Sequence, residues 1–174
     1  MSFQRRAAGE FTTAFGSLAS YVSGDIEIIN DDVKNYAFSN VFDVAARSAP
    51  YEKVVVAKNR QYVIEVLRAE GTSDWFSAAH DEFALVMDGS IEIELIKLDF
   101  PATVVPSGVE GSVRLPGSPV GRNMGFMRLR RGHQALLPPR AAYRFRVTEG
   151  VGVIVLQTIL GPHSVQKWSA ICRT

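Results

Sequence analysis

Few side chains in this sequence are equipped for chemistry. There are three histidines, His80, His133 and His163, and one cysteine, Cys172. His80 stands two residues before Glu82. In an extended segment, residues two apart share a face. The pair can therefore form an acid–base couple or a plain His–carboxylate hydrogen bond, and the second is the simpler reading. His133 follows the turn glycine Gly132, and His163 lies towards the C-terminal end, so both read as surface or capping residues. A divalent metal needs three or four ligands meeting at one point, and histidines scattered in this way meet only by long-range convergence. No glycine-rich phosphate loop, serine nucleophile elbow or paired-cysteine metal signature is present.

The chain has 174 residues, enough for one domain with a core that needs no disulfide or metal staple. At 47% apolar and 21% charged residues it is neither disordered nor fibrous. Nineteen Lys and Arg face eighteen Asp and Glu, so a nucleic-acid role has little support. The one basic cluster, Arg128-Leu129-Arg130-Arg131, alternates with an apolar residue and reads as the outer face of a strand. A single cysteine points to a reducing compartment. The first ten residues lack the apolar core of a signal peptide, and no apolar run is long enough to span a membrane. A cytoplasmic protein is expected.

Residues 1–50 form a first section. Phe11, Phe15 and Leu18 recur at helical spacing, and residues 33–46 read as an irregular arm whose aromatics must dock on the chain's own body or on a second chain. From Tyr51 the texture becomes β. Asp88-Gly89 is a hairpin signal. Ile91 to Leu98 alternates apolar and charged residues, as a half-buried strand does. Residues 99–124 are rich in Pro and Gly and read as an insertion holding one small hairpin near Ser112–Leu115. Residues 164–174 are a tail with a short helix around Trp168. Many short strands without intervening helices predict an all-β barrel or sandwich over residues 51–163.

Glu82 with Gly89 seven residues on, dressed as Asp81-Glu82-Phe83 and Asp88-Gly89, resembles the end of the first cupin motif. Gly132 with Pro138 six residues on resembles the opening of the second. The resemblance covers residues 55–160 and implies a single cupin barrel, a double-stranded β-helix of jelly-roll type, with an N-terminal arm and a short C-terminal helix. Cupin barrels normally hold a metal on two His and a Glu from the first motif and a His from the second. Counted from Glu82 and Pro138, the histidine positions fall on Trp75, Ser77 and Tyr143, and the second motif's later glycine position on Arg140. Only Glu82 survives, which implies a barrel that binds no metal.

Four longer stretches, residues 2–11, 29–42, 80–89 and 132–138, are similar to the small subunit of two-component (type II) hydroquinone dioxygenases. That family converts hydroquinone and O2 to 4-hydroxymuconic semialdehyde. The resemblance implies a partner: a larger cupin subunit carrying Fe(II), in an α2β2 assembly, with no cofactor on this chain and no catalytic residue in this chain alone. It implies that residues 1–50 dock on the partner and that the chain stabilises it and helps to wall its aromatic pocket. Substrate-pocket candidates are Trp75, Phe76, Tyr143 and His80. Trp75 and Tyr143 either plug the emptied barrel or reach towards the partner. Asp74, His80 or Arg140 are candidates to orient the substrate's far hydroxyl, whereas Lys34, Arg68 and Arg128 read as solvated charges. The alternative is a stand-alone homodimeric cupin that binds a small organic ligand without redox chemistry.

Overall fold

The computed structural model describes residues 16–23, 28–32 and 38–172. Helix α1 (Val41–Ala46) is the first named element, and Asn40 caps it by accepting the backbone N–H groups of Phe42 and Asp43. Eleven strands follow: β1 (Lys53–Lys58), β2 (Val63–Ala69), β3 (Trp75–Ala78), β4 (Glu82–Asp88), β5 (Ser90–Leu98), β6 (Ser112–Leu115), β7 (Gly121–Arg130), β8 (Gln134–Leu137), β9 (Ala141–Arg146), β10 (Gly152–Thr158) and β11 (Ser164–Val165). Two short helices, α2 (Pro101–Val104) and α3 (Trp168–Ile171), complete the described elements.

The strands form two sheets, ordered β11-β1-β2-β10-β4-β8 and β6-β3-β9-β5-β7. Among the described strand pairings β1–β11 alone is parallel. The sheets face each other across one core. Leu67, Val86, Leu137, Ile154 and Leu156 come from the first, and Phe76, Ile91, Ile93, Tyr143 and Phe145 from the second. This is the single cupin barrel expected from the motifs.

Two turn readings need correcting. Asp88-Gly89 does not close a hairpin: β4 pairs with β10 and β8, and β5 pairs with β7 and β9 in the other sheet. The turn is a corner between sheets. Gly89 has φ +79°, and a Cβ there would lie 2.8 Å from the Gly152 Cα, so the Asp-Gly signal marks a crossing rather than a reversal. Ser112–Leu115 is a strand but not a hairpin, because it pairs along its whole length with β3. β7 begins at Gly121, inside the predicted insertion, and bulges where Met124 is left between the pairs Leu95–Gly125 and Ile96–Asn123.

The alternation of β5 holds over Ile91–Leu95. Ile91, Ile93 and Leu95 enter the core, and Glu92 and Glu94 turn out to meet arginines directly across the ladder. Arg128 binds Glu92 at 2.5 Å and Arg144 binds Glu94 at 2.7 Å. Such cross-strand pairs contribute roughly 0.2–1 kcal/mol each. Arg128 and Arg68 are thus ion-paired at the surface rather than simply solvated, the latter to Glu70; Lys34 lies outside the described residues.

The first section packs on the chain's own barrel wherever it is described. Phe42, Val44 and Ala45 of α1 join Val54, Val66, Val153 and Ile171 in a second core on the outer face of the first sheet, with Leu18, Tyr21 and Trp168 against it. The Leu18 N–H donates to Asp88 Oδ2 at 2.7 Å. These residues therefore cover their own sheet. The expected helix through Phe11 and Phe15 falls outside the described residues, and Ser17–Ser20 form a turn. In the tail, Ser164 and Val165 extend a sheet, so the helix is confined to Trp168–Ile171.

One end of the barrel closes by backbone contact. Gly111 has φ +71°, and a Cβ on it would lie 2.4 Å from the Gly161 Cα. Gly111→Ala therefore combines a strained backbone with a clash against main chain. It is expected to lower the unfolding free energy by about 2 kcal/mol or more in denaturant titration, and a loss under about 0.5 kcal/mol would show that the loop yields freely.

Candidate functional site

The period-two alternation of β3 decides which side chains enter the barrel. Phe76 lies in the barrel core beside Tyr143, its cross-strand partner, with ring centroids 6.2 Å apart. Trp75 lies on the opposite face, packed with Leu98, Leu115 and Ala142 and stacked on the Arg144 guanidinium at 4.6 Å. The lumen positions of β3 are therefore Phe76 and Ala78, not Trp75 and Ser77. The spacer to Glu82 is one residue shorter than the count that selected Trp75 and Ser77, and a one-residue shift moves every side chain to the other face. Tyr143 faces the lumen, as its motif position requires.

Four strands carry polar groups into this interior. Glu82 opens β4 with no solvent exposure, and neither carboxylate oxygen has a hydrogen-bond partner among the described residues. Glu65 on β2 is equally buried; it accepts from the Ser164 hydroxyl at 2.5 Å, and its second oxygen is unpartnered. The Tyr143 hydroxyl lies within the field of Glu82 but not in hydrogen-bond geometry with it. Lys53 on β1 is buried, and its Nζ donates to Ser112 Oγ at 2.5 Å and to the Tyr143 hydroxyl at 3.4 Å. The same ammonium sits 4.3 Å from the Phe76 ring centroid, a cation–π contact. Lys53 and Glu65 escaped the sequence reading. The signal for both was a charged residue inside a branched apolar strand, in Lys53-Val54-Val55-Val56 and Val63-Ile64-Glu65-Val66-Leu67.

Burial sets the protonation of this cluster. It pushes the Glu65 carboxyl up to about 7, with the Lys53 charge and the Ser164 hydrogen bond pulling it down and the Glu82 charge adding to the rise. Burial, and then the Glu82 charge, pushes the Tyr143 phenol well above its ordinary range, so it stays a neutral hydroxyl. His163 is held below the usual imidazole value by burial and by the nearby Lys53 and Arg114 charges.

A cleft of about 370 Å³ opens above Lys53 and Phe76, lined also by Tyr51, Asp74, Arg114 and His163. Asp74 is spent there in an ion pair with Arg114 at 2.8 Å. His80 does not meet Glu82. Its Nε2 contacts Thr158 Oγ1 at 2.9 Å and accepts the Ile159 N–H, so it ties β10's end to the β4 entry. His133 accepts the Arg130 N–H through Nδ1 in the turn before β8 and is a capping residue as expected. His163 is not a plain surface residue: it packs edge-on against Phe76. Arg140 adopts φ +58°, the conformation that explains a glycine preference there, and its guanidinium donates to Ser107 Oγ at 3.4 Å. The three residues considered for orienting a hydroxyl thus lie at three separate places.

The barrel geometry can be set beside known proteins. One chain of the crystal structure of hydroquinone 1,2-dioxygenase PnpCD, in complex with Cd2+ and 4-hydroxybenzonitrile, is 50% identical over 97% of this chain and 100% of that one, with a TM-score of 0.86. A hydroquinone 1,2-dioxygenase chain from Sphingomonas sp. TTNP3, with 4-hydroxybenzoate bound, is 55% identical over 95% of this chain and 99% of that one, with a TM-score of 0.88. The chain belongs to the hydroquinone 1,2-dioxygenase family. A second, longer PnpCD chain, from the complex with Fe3+, shares the fold at 10% identity and a TM-score of 0.59, and the match covers 82% of this chain but 38% of that one. PnpCD therefore holds two chains of unlike length built on this fold. No family model and no curated protein matches the chain.

The cupin family implies a metal, and the residues here do not fit one. Phe76 and Ala78 offer no donor, Tyr143 is held as a neutral phenol, and Lys53 brings a positive charge to the same space. Among the described residues no three His, Cys, Asp or Glu gather to hold an ion.

Glu65 makes stability depend on pH. Its folded value near 7 lies above the usual carboxyl value of 4.5, so between them the native state holds more protons than the unfolded chain. Its contribution is complete below about pH 4.5 and is lost as pH rises through 7. The gap corresponds to about 3 kcal/mol. Glu65→Gln should flatten this part of the Tm–pH curve, and an unchanged slope would assign it to another group.

Proposed function

We propose that this chain is the small, non-metal-binding subunit of a ring-cleaving hydroquinone dioxygenase. The supporting observation is a barrel interior that keeps one carboxylate, Glu82, of the family's ligand set and fills the remaining positions with Phe76, Ala78 and Tyr143. The near full-length likeness to one chain of PnpCD, whose longer chain shares the fold, fits a two-chain enzyme. The reaction joins hydroquinone and O2 to give 4-hydroxymuconic semialdehyde, and both atoms of O2 stay in that one product. Fe(II) on the larger subunit supplies the oxygen chemistry, and the assembly is α2β2 and cytoplasmic. The stand-alone ligand-binding reading is not favoured.

The chain's own contribution is then surface and shape. Trp75 is buried under the outer face of the second sheet, and so lies nearer to a surface that a partner could cover than Phe76 and Tyr143, which fill the lumen. It backs an apolar groove of about 340 Å³ lined by Leu98, Phe100, Val104, Leu115 and Val120. Phe126 is 61% exposed on the edge strand β7, and Phe100, Val120 and Met124 are exposed as well. An unpaired edge with apolar side chains is a surface that soluble proteins cover. We assign this edge and groove to the larger subunit. There a Trp75 ring held by Arg144 can close the wall of a dry aromatic pocket without touching oxygen chemistry.

Two outcomes test this. Purified alone and given Fe(II), the chain should take up no O2 with hydroquinone; turnover by the isolated chain would refute the subunit role. In the assembled enzyme, Trp75→Ala should lower kcat/KM roughly tenfold or more through lost positioning. Because Trp75 is itself buried, the variant's Tm should fall as well, by roughly 10 °C. If Tm falls and activity per folded complex does not, Trp75 is packing alone.

A further inference from the structure

A cupin interior without a metal still contains the carboxylate that a metal would have neutralised. Glu82 and Glu65 are both fully buried, and three of their four oxygens have no hydrogen-bond partner. The two carboxylates feel each other, and both act on the Tyr143 hydroxyl. Two uncompensated carboxylates in so apolar a barrel would unfold it or force the uptake of protons or a cation. The lumen receives one full positive charge, the ammonium of Lys53. It reaches Tyr143, which stands where the second motif's ligand would be, and lies over Phe76, which stands where one of the first motif's would be.

The other charged groups nearby are accounted for. At the mouth, Asp74 is held by Arg114 and Glu52 by Lys167 at 3.0 Å, while Glu70 is held by Arg68. His163 lies towards Lys53 and Arg114, whose charges disfavour its protonation. Among the described residues the Lys53 ammonium makes no direct ion pair; its charge acts through space on Glu65, and Glu65 in turn is coupled to Glu82.

We propose that the Lys53 ammonium is the resident cation of this barrel: it stands in the lumen beside Phe76 and Tyr143, offsets the negative charge of the coupled Glu82–Glu65 pair, and closes the interior to divalent ions. Lys53 also joins the sheets, since β1 belongs to one and Ser112, on β6, to the other. One side chain thus supplies the charge and the cross-link that a bound ion supplies elsewhere.

The test uses the full-length chain. In the wild type at pH 7, a lysine NH3+ signal with contacts to Phe76 and Tyr143 protons should appear in 1H–15N spectra and exchange slowly with water. Added Mn2+ should leave Phe76 and Tyr143 signals unbroadened. A missing ammonium signal, or selective broadening of those two residues by Mn2+, overturns the proposal without any variant. Lys53→Met should lower Tm by about 10 °C, the scale for leaving buried charge unbalanced in a domain of this size. Adding Glu82→Gln to Lys53→Met should recover at least half of that loss, because it removes the charge left over. A Lys53 that served only as packing would show no such rescue, and a double variant no more stable than Lys53→Met would refute the charge-balancing role.

Discussion

A charge placed inside a β-barrel has to find its opposite there, because the apolar wall offers no solvation. In this chain that requirement falls on the space between β1, β2, β4 and β9, where Lys53, Glu65, Glu82 and Tyr143 converge. Much else follows from meeting it. Ser112 on β6 accepts from Lys53 across the two sheets, and Ser164 on β11 donates to Glu65 within the first sheet. The tight Gly111–Gly161 contact stands just outside these two strands and fixes their approach. Polar satisfaction and barrel closure are therefore one problem with one solution.

The register of β3 divides the molecule's two tasks. Even-numbered Phe76 and Ala78 fill the interior, and odd-numbered Trp75 serves the exterior. The interior can then be chemically quiet while the outer face of the second sheet carries aromatic, cationic and apolar surface. The ion-pair ladder of Glu92, Glu94, Arg128, Arg144 and Arg146 runs across that outer face. It holds Arg144 against Trp75 and stiffens the sheet up to its exposed edge.

Most of this architecture was legible from sequence, for physical reasons that differ from place to place. The alternation of Ile91–Leu95 is a direct print of a half-buried sheet, and the two motif fragments fixed the barrel. The Asp88-Gly89 corner was misread because a left-handed glycine serves a sheet crossing as well as a hairpin. The helix at Val41–Ala46 was read as an arm because six residues are too few to establish a period. At the site, the count from Glu82 missed by one position. Motif spacing tolerates a residue more or less, and only the side chains packed on each face resolve which. Lys53 and Glu65 were invisible as a pair, since 12 positions and a turn separate them along the chain and only the β1–β2 pairing brings their strands together.

The backbone around the lumen has consequences for what such a chain can become. Phe76, Ala78, Tyr143 and Glu82 occupy inward stations, so this barrel differs from a ligand-bearing one in side chains and not in the course of its strands. Conversion into such a barrel is obstructed, because an imidazole introduced singly would meet the Lys53 ammonium instead of an ion. A fixed positive charge lodged in the interior thus makes single substitutions towards ion capture unrewarding, whatever ligand they introduce.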